Sequence, residues 1–253
     1  MLKILLSGAC GRMGRQVAAL AQESGAQISA GVDVLARQDG AFPVYPSFSL
    51  VPEDTGADVI VDFTRPENLS ALLAYAKARR LPVMLAATGY NEADLAAIRD
   101  AALEIAVFRS ANLSIGVYVL RALAAQAAQL LPDFDIEIVE KHHNQKIDAP
   151  SGTALMLYDA VSNPQSVPVF GRNGRTQKRE KNEIGLHAVR GGTVAGEHEV
   201  GFYGPGETVL LTHSAQDRSI FARGALRAAA FIAQQQPGEY SMDDLARAML
   251  AKA

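Results

Sequence analysis

A chain of 253 residues has room for one large domain or two modest ones, each able to bury a core. With 49% hydrophobic and 20% charged residues it is neither disordered nor fibrous, and a formal net charge of -3 argues against nucleic acid as its main partner. The single cysteine, Cys10, excludes an internal disulfide framework and a cysteine-based zinc site and points to a reducing compartment, by default the cytoplasm.

No stretch approaches the roughly 18 uninterrupted apolar residues of a membrane span, because the Ala-rich runs carry Arg121, Gln126 and Gln129. The start, Met1 to Leu6, reaches Gly8 at once, which leaves no room for the apolar core of a secretory signal.

In chain order, Leu2 to Ser7, Ile28 to Asp33, Val59 to Phe63, Leu81 to Leu85 and Ile105 to Phe108 read as strands. Ala-rich amphipathic stretches such as Glu67 to Arg80 and Glu92 to Leu103 lie between them. Parallel strands need such crossovers and then bury both faces, so this half predicts an α/β domain, a Rossmann-like doubly wound parallel sheet that binds a nucleotide. After Asn112 come a long helix from about Ser114 to Leu131 and a strand from Phe134 to about Glu140. The β-rich runs Ile184 to Arg190, Val194 to Tyr203 and Thr208 to Ala215, separated by glycine turns, predict a second, α+β part whose sheet is largely antiparallel or mixed. The stretch Gly171 to Gly185 carries Arg172, Arg175, Lys178, Arg179 and Lys181 and reads as a mobile polar loop. Helices Ser219 to Gln235 and Met242 to Lys252 close the chain.

Gly8-Ala9-Cys10-Gly11-Arg12-Met13-Gly14 follows the first strand and opens a helix that runs to about Ser24. Glycines there allow a tight turn and close backbone approach to a pyrophosphate, whose charge meets unpaired N–H groups at the helix start. The spacing is G-x-x-G-x-x-G, a variant of the dinucleotide fingerprint. Asp33, at the end of the second strand, is placed to accept hydrogen bonds from an adenosine ribose. That carboxylate repels a 2'-phosphate and favours NADH, whereas Arg12 or Arg37 could pair with the phosphate and admit NADPH. The reading leans to NADH with dual use open.

The densest chemistry is Glu140-Lys141-His142-His143-Asn144-Gln145-Lys146-Ile147-Asp148-Ala149-Pro150-Ser151-Gly152-Thr153. Two imidazoles and a lysine offer protons near neutrality, and Ser151, Gly152 and Thr153 read as a helix N-terminus able to hold a carboxylate. Ser151 serves equally well as an ordinary N-cap, and the two uses are compatible. If the strand continues through them, His142 and His143 face opposite sides. No nearby cysteine, Glu-x-x-His or third histidine at ligand spacing completes a tetrahedral set, so no metal is expected.

These residues resemble the 4-hydroxy-tetrahydrodipicolinate reductase family, also called dihydrodipicolinate reductase. The resemblance runs through the Gly8 to Gly14 turn, Asp62-Phe63-Thr64, Ala111 to Val117, Glu140 to Thr153, Gly196-Glu197-His198-Glu199-Val200 and Phe221-Ala222-Arg223-Gly224-Ala225. It implies a dinucleotide-binding domain over 1–113, a substrate-binding and tetramerisation domain over 114–218, and C-terminal helices over 219–253 that rejoin the first domain. It also implies a homotetramer acting on a small-molecule dicarboxylate, with no membrane partner. By position in the signature, His142 looks like the general acid, with Lys146 also a proton donor. His143, Lys146, Gly152 and Thr153 look like substrate-binding residues, and the helix N-terminus adds Ser151 to them. Cofactor contacts are expected from Gly8, Gly11, Arg12, Met13, Gly14, Asp33, Thr88, Gly89, Ala111 and Asn112. The chain departs from the family's usual pattern at Ala86-Ala87 and at Cys10. A different nicotinamide-dependent reductase and a non-catalytic nucleotide sensor are the competing functions, and only the His142 to Thr153 cluster separates them from the first.

Overall fold

The computed structural model describes residues 1–36, 40–174 and 177–251. Arg37 and Arg175, and the end of the last expected helix at Lys252, lie outside the described residues. The chain divides into two compact units, one made of Met1–Leu113 and Ser219–Ala253, the other of Ser114–Arg218.

The first unit is a seven-stranded sheet of β1 (Leu2–Ser7), β2 (Ala26–Val32), β3 (Val44–Tyr45), β4 (Val59–Asp62), β5 (Val83–Leu85), β6 (Ala106–Arg109) and a late strand, Gly238–Tyr240. Its order is late strand, β6, β5, β4, β1, β2, β3, and every pairing is parallel. The chain changes direction across the sheet between β1 and β4, which is the switch point where such sheets bind ligands beyond their carboxyl ends. Ile4, Leu5 and Leu6, and Val59, Ile60 and Val61, are completely buried, as continuous apolar strands must be when helices cover both faces. Helices α1 (Arg12–Ala21), α2 (Leu69–Arg79) and α3 (Glu92–Ala102) supply the crossovers. A capping box fixes the start of α3: Asn91 accepts from the Asp94 N–H while the Asp94 carboxylate accepts from the Asn91 N–H.

The second unit is built on α4 (Ile115–Leu130), β7 (Asp135–His142), α5 (Gly152–Val161), β8 (Val167–Phe170), β9 (Glu183–Arg190), β10 (Gly196–Gly204) and β11 (Glu207–Ala215). The sheet order is β11-β10-β7-β9-β8. Ile138, Ile184, Val200 and Phe202 from one sheet face pack on Leu120 and Ala124 of α4 and on Ala154, Leu157 and Val161 of α5. The later strands are antiparallel only in part. β10 runs antiparallel to β7 and β11, but β9 runs parallel to both β7 and β8. A parallel pair needs a long connection, and here α5 joins β7 to β8 while residues 171–182 join β8 to β9.

That second connection corrects the reading of Gly171 to Gly185 as a mobile loop. Its tail is β9 itself, and Arg172 and Arg179 are tied to β7 and β9. Arg172 reaches Glu183 at 2.6 Å and Glu137 at 2.8 Å, and Arg179 reaches Asp135 at 2.7 Å and Glu137 at 3.2 Å. Glu183 lies within the stretch, but Glu137 and Asp135 sit 35 to 44 residues away on β7, where local composition does not reveal them.

The chain then returns to the first unit with α6 (Ser219–Ile232), β12 (Gly238–Tyr240, the late strand) and α7 (Met242–Leu250). α6 buries Ala222, Ala225, Leu226, Ala229 and Ile232, the spacing of one helix face. Its Gly224 lies so near the 110–113 segment that a Cβ would fall 1.7 Å from the Leu113 carbonyl oxygen.

Candidate active site

At the carboxyl end of the parallel sheet, Gly8 holds φ +79° and Gly14 is pressed against the turn: a Cβ there would lie 2.2 Å from the Gly8 carbonyl oxygen and 2.8 Å from that of Ala9. Only glycine fits, so the turn closes tightly on the first turn of α1. Gly11 is the N-cap without a side-chain cap, and no acidic residue sits in the first helical turn, so the N–H groups and positive dipole end remain for an anion. Asp33 stands just past β2. Its carboxylate accepts from the Cys10 N–H at 2.9 Å and the Leu35 N–H at 3.0 Å, which ties it to the glycine turn while each oxygen keeps a further lone pair. Asp62, at the end of β4, is buried; burial pushes its carboxyl up, opposed by hydrogen bonds from Thr64. This holds Phe63 and Thr64 against Gly8.

Thr88 and Gly89, the latter at φ +84°, lie exposed in the loop after β5, and Ala111 and Asn112 lie in the loop after β6. Ser110 shapes the second loop by donating its hydroxyl to the Asn112 carbonyl at 2.6 Å. All the expected nucleotide contacts within the described residues therefore follow carboxyl ends of β1, β2, β5 and β6. The turn, the uncapped helix start and the carboxylate fit a dinucleotide.

In the second unit, β7 ends at His142, and a turn from His143 to Lys146 follows, closed by the Lys146 N–H donating to the His143 carbonyl at 3.1 Å. The strand therefore does not run through both histidines, and the expectation of opposite faces does not apply to His143. His142 Nδ1 lies 2.6 Å from Glu140 Oε2. Glu140 is only 1% exposed, and Arg190 forks onto it with 2.7 and 2.8 Å contacts to its two oxygens. Burial pushes the Glu140 carboxyl up, but Arg190, His142 and the Ser151 N–H together hold it below the usual carboxylate range. Burial also lowers His142, against the opposing pull of Glu140, and the charges of Lys146 and Arg190 lower it further. Lys146 Nζ is paired with Asp148 at 2.8 Å.

Ser151 caps α5, its Oγ accepting from the Ala154 N–H at 3.2 Å and lying 3.1 Å from His198 Nε2. Ser151 Oγ and His198 Nε2 therefore share one hydrogen across that contact, and the same oxygen still accepts from the helix. Burial pushes His198 down to about 4, so the ring is neutral at physiological pH. The Ser151 N–H is also committed, to Glu140 at 3.0 Å. Of the three residues expected to cradle a carboxylate, Ser151 is buried and internally engaged, whereas Gly152 is exposed with open space over its Cα.

His142, Ser151 and Glu140 thus come together around the start of α5, joined by Arg190 and His198, for which sequence reasoning gave no role. The signal was present in Glu140-Lys141-His142: on a strand, residues two apart share a face. Arg190 and His198 come from β9 and β10 through the registers His142↔Arg190 and Glu140↔His198, which no local pattern reveals.

A parallel sheet with a glycine turn at its switch point, joined in one chain to a unit bearing a carboxylate-bound imidazole and a lysine, defines a two-domain, nucleotide-dependent oxidoreductase. The family models for the N-terminus and C-terminus of dihydrodipicolinate reductase match residues 2–113 and 116–246, and the chain belongs to that family. It is 47% identical over 253 residues to the 4-hydroxy-tetrahydrodipicolinate reductase of Caldanaerobacter subterraneus subsp. tengcongensis, covering 98% of this chain and 99% of the relative. It is 44% identical to that of Clostridium novyi, covering 97% and 98%. The fold matches a dipicolinate-bound dihydrodipicolinate reductase from Paenisporosarcina sp. TG-14 with a TM-score of 0.80 at 21% identity, over 95% of this chain and 97% of the other.

Proposed function

We propose that the chain reduces the dehydrated form of 4-hydroxy-tetrahydrodipicolinate to tetrahydrodipicolinate with NADH or NADPH, in the diaminopimelate route of lysine biosynthesis. The observation that carries this reading is the near-complete coverage by relatives of that name, 47% identical in one case, in a chain that has the Glu140 to Thr153 site.

The nicotinamide, when bound, supplies hydride to an unsaturated ring carbon. The rest falls to the chain. Gly8, Gly11 and Gly14, with the N–H groups at Arg12 and Met13, receive the pyrophosphate. Asp33 accepts from the ribose, while Thr88, Gly89, Ala111 and Asn112 line the nicotinamide end. Gly152 and Thr153 at the α5 N-terminus, His143 and the Lys146 charge hold the substrate carboxylates, in line with the dipicolinate bound to the Paenisporosarcina protein. Ser151 supports that site as the cap of α5. His142, with Lys146 as a second donor, supplies the proton that the reduced ring must take up as charge develops on its nitrogen or enamine carbon.

Asp33 favours NADH, since its negative charge would face a 2'-phosphate, and exposed Arg12 leaves NADPH usable. A homotetramer is supported by the second sheet's outer face: α4 and α5 cover one side, whereas Val189, Tyr203 and Leu210 alternate onto the other and are exposed. The single cysteine and the biosynthetic role fit the cytoplasm. Kinetics test the division of labour. His142→Ala is expected to lower kcat by about 100-fold or more with cofactor affinity unchanged, and equal losses of both would refute the assignment of His142.

A further inference from the structure

We propose that Glu140 and Arg190 are a positioning pair for His142, the clamped carboxylate holding the imidazole by Nδ1 so that Nε2 alone exchanges the proton with substrate. The inference rests on the reading of His142 as proton donor. Its geometry is complete on the carboxylate's side. Oε1 accepts from the Ser151 N–H at 3.0 Å and Arg190 Nη2 at 2.7 Å, and Oε2 accepts from His142 Nδ1 at 2.6 Å and Arg190 Nη1 at 2.8 Å. Four donors meet the roughly four acceptor sites of one ionised carboxylate. An ionised carboxylate only accepts, so Nδ1 keeps its hydrogen whether His142 is charged or neutral, and the titrating nitrogen is Nε2.

The surroundings agree with that assignment. A Cβ at residue 196 would lie 3.1 Å from Nε2, so Gly196 leaves that side of the ring clear. The neighbouring imidazole, His198, stands edge-on with ring centroids 5.1 Å apart, and its own Nε2 is engaged by Ser151. Arg190 also donates to the Asp148 carbonyl at 2.5 Å, which ties the clamp to the loop that carries Lys146. The fold creates the pair from two periodicities: Glu140 and His142 share a face of β7, and the parallel register sets Arg190 beside His142.

The charged and titratable groups around the ring are Glu140 on its own strand, Arg190 on β9, His198 on β10, and Lys146 on the following loop. Glu140 favours the imidazolium, whereas Arg190 and Lys146 oppose it. The two members of the pair therefore act with opposite sign, which a merely structural role would not produce.

The test is the pH profile of kcat/KM with substrate made fresh by its synthase, on the full-length wild type and on Glu140→Gln, Arg190→Gln and His142→Gln. Activity that needs a protonated donor falls on the basic side. That limb should move to lower pH in Glu140→Gln and to higher pH in Arg190→Gln, with kcat in Glu140→Gln down about tenfold or more and cofactor affinity held. Glu140→Asp, which keeps the charge, should leave the limb near its wild-type position. If Glu140→Gln does not fold, Arg190→Gln alone decides by the direction of its shift. Loss of the limb in His142→Gln together with unmoved limbs in the other variants overturns the pair while leaving His142 as donor. An unaltered limb and turnover in His142→Gln overturns the parent reading instead.

Discussion

His198 is a site side chain whose titration the fold constrains. It is 5% exposed, and burial holds it near 4 against the ordinary 6.5. A folded-state value below the unfolded one means that the unfolded chain takes up a proton the folded chain resists. Its contribution is therefore intact above about 6.5 and is lost as pH falls toward 4, by on the order of 3 kcal/mol. Urea unfolding at a series of pH values should show that decline, and His198→Gln, which does not titrate there, should flatten it; an equally steep decline in the variant would assign it elsewhere. Gly14 makes the complementary case at the other unit. Gly14→Val must displace the Gly8 carbonyl, so cofactor titration should show affinity lost about tenfold or more, and unchanged affinity would mean that the turn does not hold the nucleotide.

The features that were legible from sequence are those whose geometry is local. The glycine turn, Asp33 and the Ser151 cap depend on neighbours within a strand, turn and helix, so spacing alone identified them. Arg190 and His198 were not legible as site residues, because β9 and β10 bring them beside Glu140 through strand register. Ser151 shows the limit differently: its hydroxyl was expected to meet a carboxylate, but burial commits it to His198 and to the helix.

At the scale of elements, the predicted strands β1, β2 and β4 to β6 and the helices α3 and α4 fall within a few residues of their observed bounds, because long apolar runs and clear 3.6-residue patterns survive tertiary context. β3 (Val44-Tyr45), β8 (with Pro168 inside it) and β12 (Gly238-Glu239-Tyr240) lack the consecutive apolar residues that mark the equally short β4 to β6, and they exist because a neighbouring strand supplies hydrogen bonds. Two predictions belong here. Ser151→Ala removes a cap worth about 1 kcal/mol and leaves buried His198 Nε2 without its partner, at roughly 1–3 kcal/mol more. Thermal melts of the apo protein should register that loss, and a raised KM with unchanged stability would instead make Ser151 a substrate ligand alone. Gly224→Ala puts a methyl into the Leu113 carbonyl, so α6 must move or the segment before α4 must yield, at about 1–3 kcal/mol. An unchanged melting temperature would contradict that close approach.

At the scale of the molecule, each unit has its own core, and the chain enters the second unit once and leaves it once. On the proposed function, the first unit would serve the nucleotide and the second the proton chemistry on a dicarboxylate. The exposed apolar residues of the outer sheet face bear on the proposed tetramer: sedimentation should give four chains for the wild type and fewer for Leu210→Glu, whereas a wild-type monomer would refute the tetramer and an equal mass in both would place the contact elsewhere. The claim on which the rest depends is that this chain reduces the synthase product. The direct measurement is loss of reduced-cofactor absorbance when fresh synthase product is added to the enzyme with NADH and with NADPH in parallel. The account predicts oxidation in the wild type, faster with NADH, and loss of that oxidation in His142→Gln. No oxidation of either cofactor, or full activity without the imidazole, would contradict it.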